Sequence, residues 1–219
     1  MAAALAGAVV AIAAAVPAQA AVTVLSFNNA TCSGGTCRST TAIDETYGDG
    51  AGVDVSYRVF NPATDATYRT NLIYWEKGYG DLDGVAYSGT SNAFSTEITF
   101  KALAGYELSL LSFDLATFSR ISPSTPVRIE TLSGVSLFSG QQSTNPGGHN
   151  HLTIDTAYVT DGIRLVFGPD SFNVGIDNIA FDVRPTANAP VPEPATWAML
   201  ILGFFGTGAL LRRRRFVPA

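Results

Sequence analysis

The 219-residue sequence has few charged residues, and basic residues are especially scarce. Charged residues make up 14% of the chain, and four of the 13 Lys and Arg residues form the run Arg212 to Arg215. A protein that binds nucleic acid needs a basic surface to neutralise phosphates, so this class of function is excluded. The residues before Pro190 carry 17 acidic and 9 basic side chains, which indicates an acidic body with a net charge of about −8.

The sequence also lacks the motifs of common catalytic sites. It contains no Gly-x-Ser-x-Gly elbow, no Gly-rich phosphate loop and no HExxH segment. A glycosidase needs two carboxylates that face each other across a cleft, and Glu97 and Glu107 on the polar faces of different predicted strands are the candidates. We predict that the protein is not an enzyme. The alternative is a surface-displayed carbohydrate-active or metal-dependent hydrolase.

The N-terminus is uncharged and apolar. Residues 2–16 consist mostly of Ala, Val, Leu and Ile, Pro17 interrupts the run, and Ala18-Gln19-Ala20 follows. An apolar core followed by small residues at alternate positions is typical of a secretory signal peptide. Residues 1–20 are therefore predicted to direct export and to be removed by signal peptidase after Ala20, although no Lys or Arg precedes Arg38.

The C-terminus combines a Pro-rich segment, an apolar run and a basic cluster. Residues 185–194 contain four prolines, and the uncharged residues 195–211 lead into Arg212 to Arg215. A helix of that length rises about 25 Å, which is at the short end of what crosses a bilayer. The pattern predicts a transmembrane helix with the arginines in the cytoplasm and the body on the opposite side. An unprocessed single-pass membrane protein is one interpretation of this pattern.

The order Val-Pro-Glu-Pro, short apolar span and terminal arginines resembles the PEP-CTERM sorting signal of Gram-negative envelope proteins, also labelled the ice-binding protein C-terminal domain. The resemblance covers residues 190–219. It implies an inner-membrane-anchored precursor that exosortase cleaves near the tripeptide and sorts to the cell surface or extracellular matrix. The residues that carry the implied recognition element and the stop-transfer charges are Pro192, Glu193, Pro194, Arg212, Arg213, Arg214 and Arg215.

The segment between the two ends, residues 21–189, alternates apolar and polar residues in short runs. Val53, Val55, Tyr57 and Val59 alternate with polar residues, and similar runs occur at 94–102, 106–116, 126–132, 162–167 and 174–183. This period predicts half-buried strands separated by turn residues. We expect an all-β ectodomain, built as an antiparallel two-sheet sandwich of jelly-roll type.

Cys32 and Cys37 are the only cysteines, and Ser-Gly-Gly-Thr separates them. In an exported chain, two cysteines this close favour a local disulfide. Zinc is disfavoured because there is no second cysteine pair and the two histidines lie far along the chain.

Aromatic residues crowd the stretch from Tyr68 to Tyr87, together with carboxylates. Amphipathic rings beside carboxylates are typical of sugar-binding surfaces, so Tyr74, Trp75 and Tyr79 are candidate glycan contacts. Packing within the sandwich is the alternative for the same residues. The predicted role is that of a matrix, adhesion or exopolysaccharide-associated protein.

The segment Val174 to Val183, VGIDNIAFDV, resembles the closing strand of jelly-roll carbohydrate-binding and adhesion modules. The resemblance implies a structural calcium held by Asp177 and Asp182, although no cofactor is required. His149 and His151 would point the same way on an extended stretch and could share a metal, with Asp155 as a distant contributor. Two solvated loop histidines are the alternative.

Overall fold

The computed structural model describes residues 21–119, 124–144, 147–186 and 201–205. In the described part of residues 21–186, the regular elements are strands of 2 to 12 residues and one 3₁₀ turn, Phe27–Asn29. The strands, in chain order, are β1 (Ala21–Leu25), β2 (Thr31–Cys32), β3 (Gly35–Thr36), β4 (Val53–Phe60), β5 (Thr67–Arg69), β6 (Ile73–Trp75), β7 (Val85–Tyr87), β8 (Ser95–Ala102), β9 (Tyr106–Thr117), β10 (Ser124–Thr131), β11 (Ser136–Ser143), β12 (His149–Thr153), β13 (Ile163–Phe167) and β14 (Val174–Pro185).

These strands form two six-stranded antiparallel sheets and a small hairpin. In the first sheet the order is β12-β9-β14-β7-β6, and β1 also pairs with β14. In the second sheet the order is β11-β10-β13-β8-β4-β5. Most neighbouring strands are far apart in sequence, as in the pairing of β14 with β9 and of β13 with β8. Such long-range pairing is typical of sandwich folds.

Alternation along the strands gives each sheet one buried and one more polar face. In β4, Val53, Val55 and Tyr57 are buried, whereas Asp54 and Ser56 are exposed. The side chains of successive residues in a strand point to opposite faces, so this pattern places the valines on the core side. The predicted alternating runs at 53–59 and 94–102 coincide with β4 and β8.

A single apolar core lies between the two sheets. Phe100 of β8 and Phe181 of β14 come from different sheets and are fully or almost fully buried, with ring centroids 5.0 Å apart. Buried residues from both sheets belong to the same cluster. The predicted antiparallel β-sandwich is therefore confirmed.

The β2–β3 hairpin carries the disulfide between Cys32 and Cys37. The turn at Ser33-Gly34 uses a glycine with a φ of 94°, a left-handed backbone that glycine adopts without steric cost. Cys32 is buried against the main core, so the hairpin is attached to the body. The predicted disulfide is confirmed.

The strand β14 is interrupted by a bulge between Asp177 and Ala180, where its register against β9 shifts. Asn178 lies in this bulge with a φ of 49°. A bulge inserts unpaired backbone into a strand and redirects the side chains that flank it. The bulge therefore turns the Asn178 side chain toward its neighbour on β9, as described below.

Residues 201–205 form a separate described unit. They are helical, and Ile201, Leu202, Phe204 and Phe205 are exposed. Within the part of the chain that the structure describes, no helix is both long and apolar enough to cross a membrane. The predicted signal peptide, residues 1–20, lies outside the described residues, as does most of the predicted span 195–211.

Candidate functional site

The outer face of the first sheet carries a second apolar cluster, apart from the core between the sheets. In β6 and β7, Tyr74 and Ala86 belong to the main core, whereas Ile73, Val85 and Tyr87 belong to this second cluster. The two sets alternate along the strands, so they lie on opposite faces of the sheet. The loop between these strands, residues 76–84, supplies Tyr79 and Leu82 to the same cluster.

Five aromatic rings of this cluster and its edge contact one another, and we call them the aromatic patch. Their ring centroids lie 5.3 to 5.9 Å apart in contacting pairs, and they line a hollow of about 60 Å³. The residues of the aromatic patch are Trp75, Tyr79, Tyr87, Phe118 and Phe172. Phe172 is exposed and Trp75 and Phe118 are half-buried, so the patch presents three rings to solvent.

Of the three predicted glycan contacts, only Trp75 presents its ring to solvent. Tyr74 is 7% exposed and packs into the main core, and Tyr79 is 2% exposed. The Tyr79 hydroxyl donates a hydrogen bond to the Phe172 carbonyl, and burial raises the pKa of Tyr79 well above its usual range. The expectation that Tyr74 and Tyr79 stack on a ligand is therefore corrected, because both rings are packed inside the protein.

A polar cluster lies on the same outer face, and we define it as Asp81, Asp114, His149, His151 and Asn178. His149 Nδ1 lies 2.8 Å from Asp81 Oδ1, and His151 Nδ1 lies 2.6 Å from Asp114 Oδ1. The amide of Asn178 donates to Asp114 Oδ2 at 2.8 Å. The antiparallel register places His151 directly opposite Asp114, so residues from three strands and the 76–84 loop meet here.

The His149–Asp81 ion pair shifts the ionisation of both partners. The hydrogen bond that His149 donates to Asp81 raises the pKa of His149 above its usual value, and the same bond lowers the pKa of Asp81. Each charged form is favoured by its oppositely charged neighbour. The two groups remain accessible, with side-chain exposures of 36% for His149 and 56% for Asp81.

The aromatic patch and the polar cluster adjoin each other. Gly80 lies between Tyr79 and Asp81, and its backbone N–H donates to the Thr117 carbonyl at 3.0 Å. A Cβ atom at Gly80 would lie 2.1 Å from the Gly148 carbonyl oxygen, so only glycine permits this close approach. The loop thereby brings the rings and the Asp81 carboxylate to one side of the sheet, beside His149.

The two aspartates predicted to bind calcium are both buried, but they do not lie together. Asp177 Oδ1 accepts a 2.7 Å hydrogen bond from the Phe27 N–H, and Asp182 accepts one from the Tyr158 hydroxyl. Their partners on β9, Asp114 and Ser109, are five residues apart, which at the rise of a strand is about 16 Å. Two ligands of one calcium ion lie within about 5 Å, so Asp177 and Asp182 would not hold the same ion, and the structural calcium itself stays a prediction.

Asp177 keeps one buried oxygen without a hydrogen-bond partner, its Oδ2. Burial raises the pKa of Asp177 to about 6, with a smaller contribution from the Asp114 carboxylate opposite. Among residues 21–119, 124–144, 147–186 and 201–205, no group of three or more His, Cys, Asp or Glu side chains is arranged to hold a metal ion. Asp155, the predicted distant metal contributor, has a left-handed backbone with a φ of 47°.

Glu97 and Glu107 lie on opposite sides of the sandwich. Glu97, on β8 of the second sheet, is 3.9 Å from Arg58 and 3.6 Å from Arg164. Glu107, on β9 of the first sheet, accepts a 2.7 Å hydrogen bond from Arg184. Their burial patterns place both carboxylates on the outer faces of their sheets, so the two cannot face each other across a cleft.

Several residues of this site were missed by sequence reasoning. Phe118 and Phe172 join the aromatic patch although they lie outside the aromatic-rich stretch from Tyr68 to Tyr87. Asp114 lies in the buried segment 113–117 of β9, between Phe113 and Leu115, and a carboxylate between two such apolar residues is a detectable signal. Asn178 carried no signal, because its role depends on the bulge in β14.

Comparison with known proteins identifies the C-terminal segment. Residues 190–215 match the PEP-CTERM protein-sorting motif, which confirms the resemblance drawn from the Pro-Glu-Pro element, the apolar run and the arginines. The motif implies export and sorting to the cell surface, with exosortase as the sorting partner. Pro192, Glu193, Pro194 and Arg212 to Arg215 lie outside the described residues. No curated protein matches the chain.

Three solved enzymes illustrate the structural likenesses of the chain. They are a GH26-CBM35 β-(1,4)-mannanase from Podospora anserina (14% identity, TM-score 0.34), a GH29 fucosidase from Ruminococcus gnavus (14%, 0.31) and an isomalto-dextranase from Arthrobacter globiformis T6 (10%, 0.28). The matches cover 78%, 64% and 65% of this chain but only 29%, 26% and 34% of those chains. Likeness at this level assigns no activity.

Proposed function

We propose that the protein is an exported, non-catalytic component of the cell surface or extracellular matrix, whose β-sandwich binds glycan through the aromatic patch. The sorting motif at residues 190–215 supports the destination. In this proposal signal peptidase removes residues 1–20, the run 195–211 holds the precursor in the inner membrane, and exosortase cleaves near Pro192-Glu193-Pro194. In general, prolines favour an extended backbone, which suits binding in a protease-like groove.

The observation that carries the glycan-binding role is the partly exposed set of rings on an outer sheet face. Trp75, Phe118 and Phe172 contact other aromatic rings, yet each keeps solvent-exposed surface. The apolar face of a sugar ring stacks on such surfaces, and hydroxyl groups around the sugar edge pair with nearby polar side chains. Asp81 and His149, beside the patch, are polar side chains of this kind.

The hydrogen-bond and ion-pair partners of the acidic side chains support the non-catalytic part of the proposal. Both oxygens of Asp114 accept hydrogen bonds, from His151 and Asn178, and Glu97 and Glu107 each face arginines on separate sheets. A structural calcium at Asp177 remains part of the proposal, through its one unpartnered buried oxygen.

The sorting role is tested by the intact mass of the protein recovered from the surface or medium of its native host. We expect a species that begins at Ala21 and ends between Pro192 and Pro194, with or without an added group. The matched control is the variant Glu193→Ala, which should retain its tail in the same host. Recovery of a wild-type protein that still carries Arg212 to Arg215 would contradict exosortase processing.

The glycan-binding role is tested by replacing the ring at the exposed edge of the patch. Trp75→Ala removes a stacking surface, so affinity for bound polysaccharide should fall about 10-fold or more, measured by affinity electrophoresis. Tyr68→Ala is the matched control, because Tyr68 is an exposed aromatic residue on β5 of the other sheet. Equal losses in both variants, or none in Trp75→Ala, would contradict the assignment of the patch.

A further inference from the structure

We propose that the ligand of the aromatic patch is an uncharged polysaccharide, and that the His149–Asp81 pair holds it by hydrogen bonds to sugar hydroxyls. The inference rests on the proposed glycan-binding function and names its ligand class. It depends on the charges around the patch and on the accessibility of the pair.

The charges around the patch disfavour an anionic polymer. The 76–84 loop carries Glu76, Asp81 and Asp83 against one base, Lys77, and Asp83 lies 3.9 Å from Lys77. Asp170 is close enough to act on Tyr79 electrostatically, and Arg69 acts on Tyr87 in the same way, so carboxylates still outnumber the Lys and Arg side chains around the patch. A uronate or sulfate group would meet this carboxylate-rich rim in addition to the acidic body, so repulsion weakens its binding at low salt.

A polycationic ligand is also disfavoured, because the carboxylates nearest the patch already have partners. Asp81 Oδ1 is bonded to His149 and Asp114 Oδ1 to His151, so these carboxylates attract an ammonium group less strongly than unpaired carboxylates would. A neutral hydroxyl does not depend on that attraction. It can donate to a carboxylate oxygen and accept from an imidazole N–H at the same time.

The geometry of His149 leaves one edge of the ring for a ligand. Its Nδ1 is engaged with Asp81, whereas Nε2 lies 3.9 Å from Asp114 Oδ1, beyond hydrogen-bond distance. The protein fixes the imidazole through Nδ1 and leaves Nε2 on an accessible side chain. Asp81 is two residues after Tyr79 of the patch, so the pair lies beside the surface on which a sugar would stack.

The experiment compares uncharged, anionic and cationic polymers on the full chain in a polyoxyethylene detergent, which has no sugar headgroup. The probes are galactomannan and dextran, polygalacturonate, and chitosan, at low salt and pH 6. We expect the better of the two uncharged polymers to bind at least 10-fold more tightly than the charged ones. His149→Ala should weaken that binding about 3-fold to 10-fold, the loss of one or two hydrogen bonds.

The matched control for the pair is Asp83→Asn, on the same loop, which should leave the affinity for the uncharged polymer unchanged. Thermal melting of each variant shows that it is folded, and His149→Gln replaces His149→Ala if the latter melts early. Asp81→Asn and Asp83→Asn each remove one negative charge from the loop, but only Asp81→Asn changes the His149–Asp81 pair. The comparison of the two variants separates a role in hydrogen bonding from the general charge of the loop.

The outcomes separate the ligand class from the binding function itself. If polygalacturonate or chitosan binds as tightly as the uncharged polymers and Trp75→Ala abolishes that binding, the ligand class is overturned and the patch stands. If His149→Ala and Asp81→Asn bind like the wild type, the role of the pair is overturned. If no polymer binds to the wild-type chain, the glycan-binding function fails with this inference.

Discussion

At the scale of single residues, Asp177 is a carboxylate in an unusual, buried environment. It is 1% exposed, one of its oxygens accepts the Phe27 N–H, and the other has no hydrogen-bond partner. Burial of a carboxylate without full compensation disfavours its charged form. The pKa of Asp177 is accordingly raised to about 6, so this group makes the stability of the fold depend on pH.

The raised pKa gives the direction of that dependence. The folded state holds the Asp177 proton more tightly than the unfolded state, so the stabilising contribution is complete below the usual value near 3.8 and is lost as pH rises through about 6. Asp177→Asn keeps an acceptor for Phe27 and cannot ionise. In the wild type, the free energy of unfolding should decrease by on the order of 3 kcal/mol between pH 4 and pH 7 because of this group. In Asp177→Asn this decrease should be absent.

Urea unfolding at pH 4, 5, 6 and 7 measures this effect. Asp54→Asn, an exposed residue on β4, is the matched control and should retain the wild-type pH dependence. A decline of wild-type size in Asp177→Asn would mean that another group causes it.

At the scale of elements, the β2–β3 hairpin depends on a covalent bond more than on its strands. Each strand has only two residues, and two backbone-paired dipeptides cannot offset the entropy of ordering the loop. The disulfide from Cys32 to Cys37 restricts the unfolded loop, and Cys32 anchors it in the core.

The double variant Cys32→Ala/Cys37→Ala should therefore lower the free energy of unfolding by about 2 kcal/mol, the value for closing a loop of this length. Equilibrium urea unfolding measures the loss, and the reduced wild-type protein should show a comparable one. An unchanged midpoint in the double variant would show that the hairpin contributes nothing to the stability of the body.

At the scale of the whole molecule, stability comes from two sheets packed face to face. Phe100 and Phe181 meet across the interface and are almost completely buried. Phe100→Ala removes a ring from this interface and leaves a cavity, so it should cost about 3 to 5 kcal/mol of unfolding free energy. Chemical denaturation measures this loss, with Tyr68→Ala, an exposed ring, as the smaller control.

A loss below about 1 kcal/mol in Phe100→Ala would contradict tight packing between the sheets.

The two sheets also have different outer faces, and the aromatic patch and polar cluster lie on only one of them. The second sheet has an ion-pair ladder on its outer face instead, in which Arg164 bonds Glu130 and approaches Glu97. This difference is the reason that the proposed glycan-binding site is placed on the first sheet.

Sequence alone determined the features that depend on local pattern. The sorting motif is a linear element, so its three parts could be recognised in order at residues 190–215. The strands followed from alternation, because the side chains of a strand repeat every two residues, as in β4 and β8. The disulfide followed from a spacing of five residues, which brings two cysteines together whatever the rest of the chain does.

Only the tertiary structure decided which residues meet. Alternation marks Glu97 and Glu107 as polar-face residues but does not tell which sheet holds each strand, and the two lie in different sheets. Alternation also places Tyr74 and Trp75 on opposite faces of their strand, but it does not tell which of the two faces packs against the core. His149 contacts Asp81 across 68 residues of chain, since strand pairing and the 76–84 loop place them together, and such long-range pairing leaves no local pattern in the sequence.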